Sequence, residues 1–126
     1  MELQLPFPPS LNTYWRHIVI KGSVRNLISK KGREYRKSCA GHVLAQGAVM
    51  AGLKGPLAVH IEACPPDRRK RDLDNLPKSL LDALTHAEVW GDDSQIDDLR
   101  ITRGPIVKGG SVTVHITPLI NSGATS

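Results

Sequence analysis

Asp67-Arg68-Arg69-Lys70-Arg71-Asp72-Leu73-Asp74-Asn75-Leu76-Pro77-Lys78 is the stretch across which the hydrophobic period of the chain changes. Before it, Leu57, Val59, Ile61 and Ala63 recur at every second position, the pattern of a strand with one buried face. After it, Leu76, Leu80, Leu84 and Ala87 follow helical spacing, with Asp74 as the expected N-cap and Pro77 tolerated because it falls in the first turn. The stretch itself runs four consecutive cations into two carboxylates at i and i+2. A surface built only for solubility mixes its charges, whereas this order puts an attractor for polyanions beside a candidate site for a hard metal ion.

Outward from this point the same reasoning yields the remaining elements. Leu3, Leu5 and Phe7 alternate with polar neighbours as a first strand. Leu99 and Ile101 open a third, Gly104-Pro105 ends it early, and Lys108-Gly109-Gly110 turns into the alternation of Val112, Val114 and Ile116, which reads as a hairpin. A longer helix is expected from an N-cap at Ser29 to about Gly52, with Tyr35, Cys39, Val43 and Met50 along its apolar stripe. Its first turns carry Lys30, Lys31, Arg33, Arg36 and Lys37, which oppose the helix dipole and so point to a partner contact. Residues 16–28, with sparse periodicity around Gly22, read as a basic loop that orders on binding. These elements define an α+β fold: a four-stranded mixed or antiparallel sheet packed with two main helices, in one domain over residues 1–120 with a frayed tail at 121–126. A chain of 126 residues buries roughly two thirds of its unfolded surface without staples.

The net charge of +5 and pI near 9.5 call for an anionic partner, a description that fits DNA, RNA and acidic membranes alike. The distribution is more telling. Residues 16–37 hold eight cations against Glu34 alone, while Glu88, Asp92, Asp93, Asp97 and Asp98 stand together without a cation between them. Cys39 and Cys64 supply neither a disulfide framework nor a Cys-x-x-Cys pair and read as reduced core thiols. No apolar run approaches the roughly 20 residues of a membrane span, and Met1-Glu2 leads straight into a strand without a signal peptide, so the cytoplasm is the expected compartment. Tyr14 and Trp15 belong to the core or a dimer interface, since aromatic residues make up only 4% of the chain. His17, His42, His60, His86 and His115 show no ligand spacing and receive no site.

If Asp74 caps the helix, Asp72 lies in the turn before it and Lys78 one helical turn beyond. Asp92 and Asp93 follow Val89-Trp90-Gly91, where the helix has ended, and can return toward the sheet edge. Such an all-oxygen set suits Mg2+, with Mn2+ as its substitute, and a phosphodiester would be hydrolysed there by an activated water while Lys78 stabilises developing charge. Each group also has a structural alternative. Asp72 and Asp74 can cap a helix and pair with the neighbouring arginines, Asp92-Asp93 can be turn residues, Lys78 can pair with Asp82 at i+4, and Arg68 to Arg71 can be a solvated loop.

Taken together, Pro8-Pro9-Ser10-Leu11-Asn12, Pro66 to Leu76, Lys78, Asp82-Ala83-Leu84 and Trp90-Gly91-Asp92-Asp93-Ser94-Gln95 resemble the RusA family of Holliday junction resolvases in order and spacing. The resemblance implies a small homodimeric, Mg2+-dependent endonuclease that nicks two opposed strands of a four-way DNA junction. It implies that Asp72, Asp74 and Asp93 are the catalytic metal ligands, with Asp92 ranked below Asp93, and that Lys78 is the essential lysine. Arg68, Arg69, Lys70 and Arg71, with Arg16, Lys30, Lys31 and Arg33, are the candidate DNA contacts. The chain departs from the family pattern at Leu81, where some relatives carry a Phe suggested to wedge into the junction, and at Pro77, which replaces a polar residue. Dimerisation has a physical reason as well, because two symmetric cuts need two sites related by a two-fold axis. Two other classes stay open: a branched-DNA-binding protein without catalysis, and a less selective metal-dependent nuclease or phosphohydrolase.

Overall fold

In the computed structural model, which describes residues 1–48 and 53–119, the sheet is built around β4, Leu57–Cys64. Leu57, Val59, Ile61 and Ala63 are buried along it, as their period requires. One edge of β4 pairs antiparallel with β6 (Ser111–Pro118) and the other pairs parallel with β5 (Ile96–Arg103). β1 (Glu2–Leu5) adds antiparallel to β6, so the order is β1-β6-β4-β5 in a mixed four-stranded sheet. The hairpin expected across Lys108-Gly109-Gly110 does not form, because β4 lies between β5 and β6. The connection instead crosses the end of β4, where Gly104 N–H donates to Ala63 O (2.8 Å) and Val107 N–H to Pro65 O (3.0 Å). β5 is reached from β4 through a helix, which a parallel neighbour demands.

That helix is α3, Leu76–His86, which buries Leu76, Ser79, Leu80, Ala83 and Leu84. Asp74 is not its cap. A 3₁₀ turn, Leu73–Asn75, intervenes, the N-cap position falls on Asn75, and no side chain bonds there; Pro77 does lie in the first turn. α2 spans Lys30–Ala45 with the expected cap, Ser29 Oγ accepting from Gly32 N–H at 2.9 Å. It stops well before Gly52, because Gly47 at φ 71° closes a Schellman turn in which Gly47 N–H donates to Leu44 O (3.1 Å) and Ala48 N–H to Val43 O (3.0 Å). Met50, placed on the helical stripe by its spacing, lies outside the described residues, as does the tail 121–126.

Residues 16–28 are not a loop. They form most of a hairpin, β2 (Trp15–Ile20) with β3 (Ser23–Ile28), closed by Lys21 and Gly22 at φ 49° and 78°, the two positive values that a tight two-residue turn needs. Its apolar residues escape the period-two test because Val19, Ile20, Val24 and Leu27 are all exposed, while only Trp15, Ile18 and Ile28 are half-buried.

The short helix α1, Leu11–Tyr14, is locked to α2 and α3 by one polar cluster. Buried Tyr14 donates its hydroxyl to Asp82, and Arg36 Nε lies 2.9 Å from both Tyr14 Oη and Asp82 Oδ2, with Arg36 Nη2 2.8 Å from the same carboxylate oxygen. Burial first, then the Asp82 carboxylate, pushes the Tyr14 hydroxyl well above its usual pKa, so it stays a donor. Asp82 is thereby occupied, the i+4 pair with Lys78 does not form, and Arg36 turns inward rather than toward a partner. Tyr14 joins the core, and Trp15 packs edge-on against it at 5.1 Å between ring centroids. Both cysteines are free thiols, but only Cys39 lies in the core, where burial pushes it up to about 11; Cys64, at the end of β4, is half-buried. Among the described residues no helix is long and apolar enough to cross a membrane.

The close seat of α2 on α1 depends on Gly32, where a Cβ would lie 2.5 Å from Tyr14 O and 2.7 Å from Ile28 Cγ1. Gly32→Ala is expected to lower stability by about 1–3 kcal/mol through overpacking, although Ala is the better helix former by roughly 1 kcal/mol; urea denaturation measures the balance.

Candidate active site

The loop from Pro65 to Asn75 leaves the carboxyl end of β4, and Asp67 organises it. The Asp67 carboxylate accepts from Arg69 N–H (2.9 Å), from Arg69 Nε and Nη2 (3.3 and 3.2 Å), and from Arg71 Nη1 (2.8 Å). These donors, Arg71 foremost, hold its carboxyl well below the usual carboxylate range. Arg71 also lies 5.5 Å over the Phe7 ring, and its carbonyl accepts from Arg103 Nη2 at 2.7 Å. Half-buried Arg71 therefore anchors the loop to the body of the domain. Arg68 and Lys70 are exposed and make no hydrogen bond or ion pair with the described residues, so their charges face solvent.

With Arg69 and Arg71 spent on Asp67, Asp72 and Asp74 are left uncompensated. Both are exposed, and neither side chain takes a hydrogen bond or ion pair from the described residues. The cap-plus-arginine alternative thus fails on geometry. Asp72 lines a cleft whose other wall is Pro8-Pro9-Ser10-Leu11-Asn12. That wall is fixed at both ends: Ser10 Oγ caps α1 by accepting from Thr13 N–H (3.2 Å), and Pro9 O accepts from Ser79 Oγ of α3 (3.3 Å). Ser10 and Asn12 are the additions that residue chemistry alone did not single out; their signal was a proline-rich segment with no charge of its own. Lys78 is exposed, without a partner among the described residues, and lines an adjoining cleft with Leu11, Asn12, Trp15 and His17.

Asp92 and Asp93, adjacent in sequence, have different surroundings. Asp92 caps the 3₁₀ turn Asp93–Gln95, with Ser94 N–H 3.3 Å from its Oδ1, and that backbone bond first of all lowers its pKa. Gln95 completes the box: its Oε1 accepts from Gly91 and Asp92 N–H (2.9 and 3.0 Å), and its Nε2 donates to Leu53 O and Gly55 O (3.1 and 3.0 Å). Asp93 has no such role. Partial desolvation, then the Asp92 carboxyl, raises its pKa, with Asp82 adding to the effect; the turn itself packs against α3. A divalent cation would relieve this repulsion.

Asp72 faces the cleft wall just before α3, Asp74 lies two residues on in the 3₁₀ turn and does not line that cleft, Lys78 stands one turn along, and Asp93 follows from beyond the helix's far end. The one cluster of three or more metal-ligating side chains with donor atoms mutually within 4.8 Å among the described residues is His60, Glu62 and His115, so the three acids do not converge that tightly within one chain. Their chemistry still fits Mg2+: Asp72 and Asp74 are exposed without partners among the described residues, Asp93 is exposed beside the Asp92 carboxyl, and a hydrated ion can engage such oxygens one or two at a time. Of the other candidate DNA contacts, Arg16 is exposed on β2, Lys30 and Lys31 are exposed in the first turn of α2, and Arg33 is exposed with Nη1 3.1 Å from Ile28 O.

Exposed acids thus follow the central strand beside exposed cations, and Asp72 faces a wall fixed at both ends. The family profile described as Endodeoxyribonuclease RusA matches residues 6–117, and the chain belongs to that family. It is 41% identical over 120 residues to the crossover junction endodeoxyribonuclease RusA of Escherichia coli K12, covering 95% of this chain and 96% of that protein. The enzymes of the same name from Enterobacteria phages HK97 and 82 are 46% and 42% identical, over 94% of both chains and over 95% and 96% of the two chains respectively.

Carboxylates without protein partners should be dispensable for folding. Asp72→Asn and Asp74→Asn are expected to change stability by no more than about 0.5 kcal/mol, whereas Asp82→Asn, which breaks the Tyr14–Arg36 cluster, should cost about 1–3 kcal/mol. Chemical denaturation of the three variants checks the contrast.

Proposed function

We propose that this chain is a metal-dependent endodeoxyribonuclease that resolves four-way DNA junctions as a homodimer, by paired symmetric phosphodiester hydrolysis in the cytoplasm. The observation that supports it most is the sorting of acids in the loop after β4: Asp67 absorbs two arginines and leaves Asp72 and Asp74 bare beside Arg68 and Lys70. A loop designed only to hold itself together would have paired them.

In this reading Asp72, Asp74 and Asp93 hold Mg2+, or Mn2+ in its place. The ion, when bound, supplies charge stabilisation and a more acidic water. Lys78 stands one turn from Asp74, where its ammonium can meet a non-bridging or leaving oxygen of the phosphodiester. Arg68 and Lys70 grip flanking phosphates, and Arg16, Lys30, Lys31 and Arg33 extend the track along the hairpin and α2; Arg69 and Arg71 act mainly by shaping the loop. Phosphate contacts of this kind read the shape of a junction rather than its bases. A second copy related by a two-fold axis supplies the second cut. Leu81 is half-buried against the core, which supports junction opening by other means than a wedge at that position.

Incubation with labelled four-way, three-way and linear duplex DNA, with and without Mg2+, tests the proposal: paired incisions on the four-way species are expected, only with the ion. Asp74→Asn should cut about 10²–10³-fold more slowly and still bind the junction. Equal cutting of linear duplex would make it a general nuclease, and a junction complex never cut with any divalent ion would leave a binding protein. Arg68→Gln with Lys70→Gln should reduce the salt slope of junction binding by about 2, about one unit per lost phosphate contact.

A further inference from the structure

The sheet face turned away from the helices carries a second constellation of donors. His60 on β4 and His115 on β6 are directly opposite in the antiparallel ladder, and Glu62 lies two residues along β4 on the same face. One donor atom from each of the three lies within 4.8 Å of the others. His115 Nε2 is 3.2 Å from Glu62 Oε1, and the imidazole rings are 5.6 Å apart at their centroids. The outer partners are also in place. His115 Nδ1 is 3.5 Å from Glu2 Oε2 on β1, and His60 Nε2 is 2.9 Å from Thr102 Oγ1 on β5. Arg100, across from His60 on β5, is drawn to Asp98 at 3.5 Å.

We infer that His60, Glu62 and His115 form a Zn2+ site, separate from the acids at the start of α3, with water completing the coordination. Two imidazoles and one carboxylate are a borderline-soft set that prefers Zn2+ over Mg2+, the reverse of the preference of the all-oxygen acids. A ligating histidine usually directs its other ring nitrogen to a carboxylate or another fixed oxygen, and here Glu2 faces the second nitrogen of His115. Strand geometry does the positioning: opposed residues on adjacent strands and a same-face neighbour two positions on are held by the backbone ladder, so little order has to be gained on binding. The ion would tie β4 to β6 across the open face and, through Glu2, steady the first strand.

The test uses the full chain without an affinity tag, stripped by chelator and kept in excess Mg2+ so that the acids are occupied. Calorimetric titration with Zn2+ is expected to give one ion per chain. His60→Gln and His115→Gln should each weaken binding at least about tenfold, Glu2→Gln about tenfold, and Asp72→Asn not at all. On the unaltered chain, Zn2+ but not Mg2+ should shield His60 and His115 from diethylpyrocarbonate, read by mass spectrometry, a result independent of how any variant folds. No saturable Zn2+ binding, binding lost with Asp72→Asn, or unshielded His60 and His115 in saturating Zn2+ would each overturn the inference.

Discussion

β4 is the constraint from which the rest follows. It is hydrogen-bonded on both edges and buried along one face, so it can neither shift its register nor rotate without exposing Leu57, Val59, Ile61 and Ala63. The chain must therefore leave its carboxyl end at a fixed place, pass through a short loop and enter α3 on the helical face of the sheet. In open sheets the crevice outside the carboxyl ends of parallel strands is where ligands are held, and here the parallel pair β4–β5 brings the loop after β4 to that place.

Within this frame the six aspartates from Asp67 to Asp93 divide by employment. Asp67 shapes the loop, Asp82 locks three helices through Tyr14 and Arg36, and Asp92 caps a turn. Asp72 and Asp74 take no such bonds among the described residues, and Asp93 meets only the carboxyl of its neighbour Asp92 and, at longer range, the charge of Asp82. Leaving Asp72 and Asp74 bare beside exposed cations gains no stability, and keeping them in solvent avoids the cost of desolvation that Asp93 partly bears, so the arrangement is inexpensive in folding terms and open to a cation from solvent. The same division explains the cations. Arg36, Arg71 and the exposed Arg69 are engaged by carboxylates of the same chain, whereas Arg68, Lys70, Lys30 and Lys31 have no such partner among the described residues.

Much of this was legible in the residues where burial is one-sided. The alternation in β4 and β6 and the apolar face of α3 each encode one buried surface and, with the Ser29 cap, were found where expected; the first strand was found too, but it ends at Leu5, short of Phe7. The β2–β3 hairpin was not legible because both of its faces meet solvent, leaving no period to detect; the Lys21-Gly22 turn was its one local signal. The order of β5 and β6 was hidden for another reason: a glycine turn reports that the chain bends, not which strand it bends toward. Asp74 as a cap and Lys78 paired with Asp82 were sound local expectations that lost to geometry, the first to a 3₁₀ turn and the second to Arg36. The acids themselves stood out by spacing, but only the structure separates those in structural use from those left over.

On the proposed reading, Asp72 and Asp74 stay bare in order to hold a divalent cation. Crystals of the chain soaked in Mn2+ and measured for anomalous scattering decide whether they do. A peak within coordination distance of both carboxylates is expected, with Asp93 drawn toward it from its own chain or a second copy. Mn2+ density confined to other positions, with Asp72 and Asp74 still solvated and apart, would rule this role out.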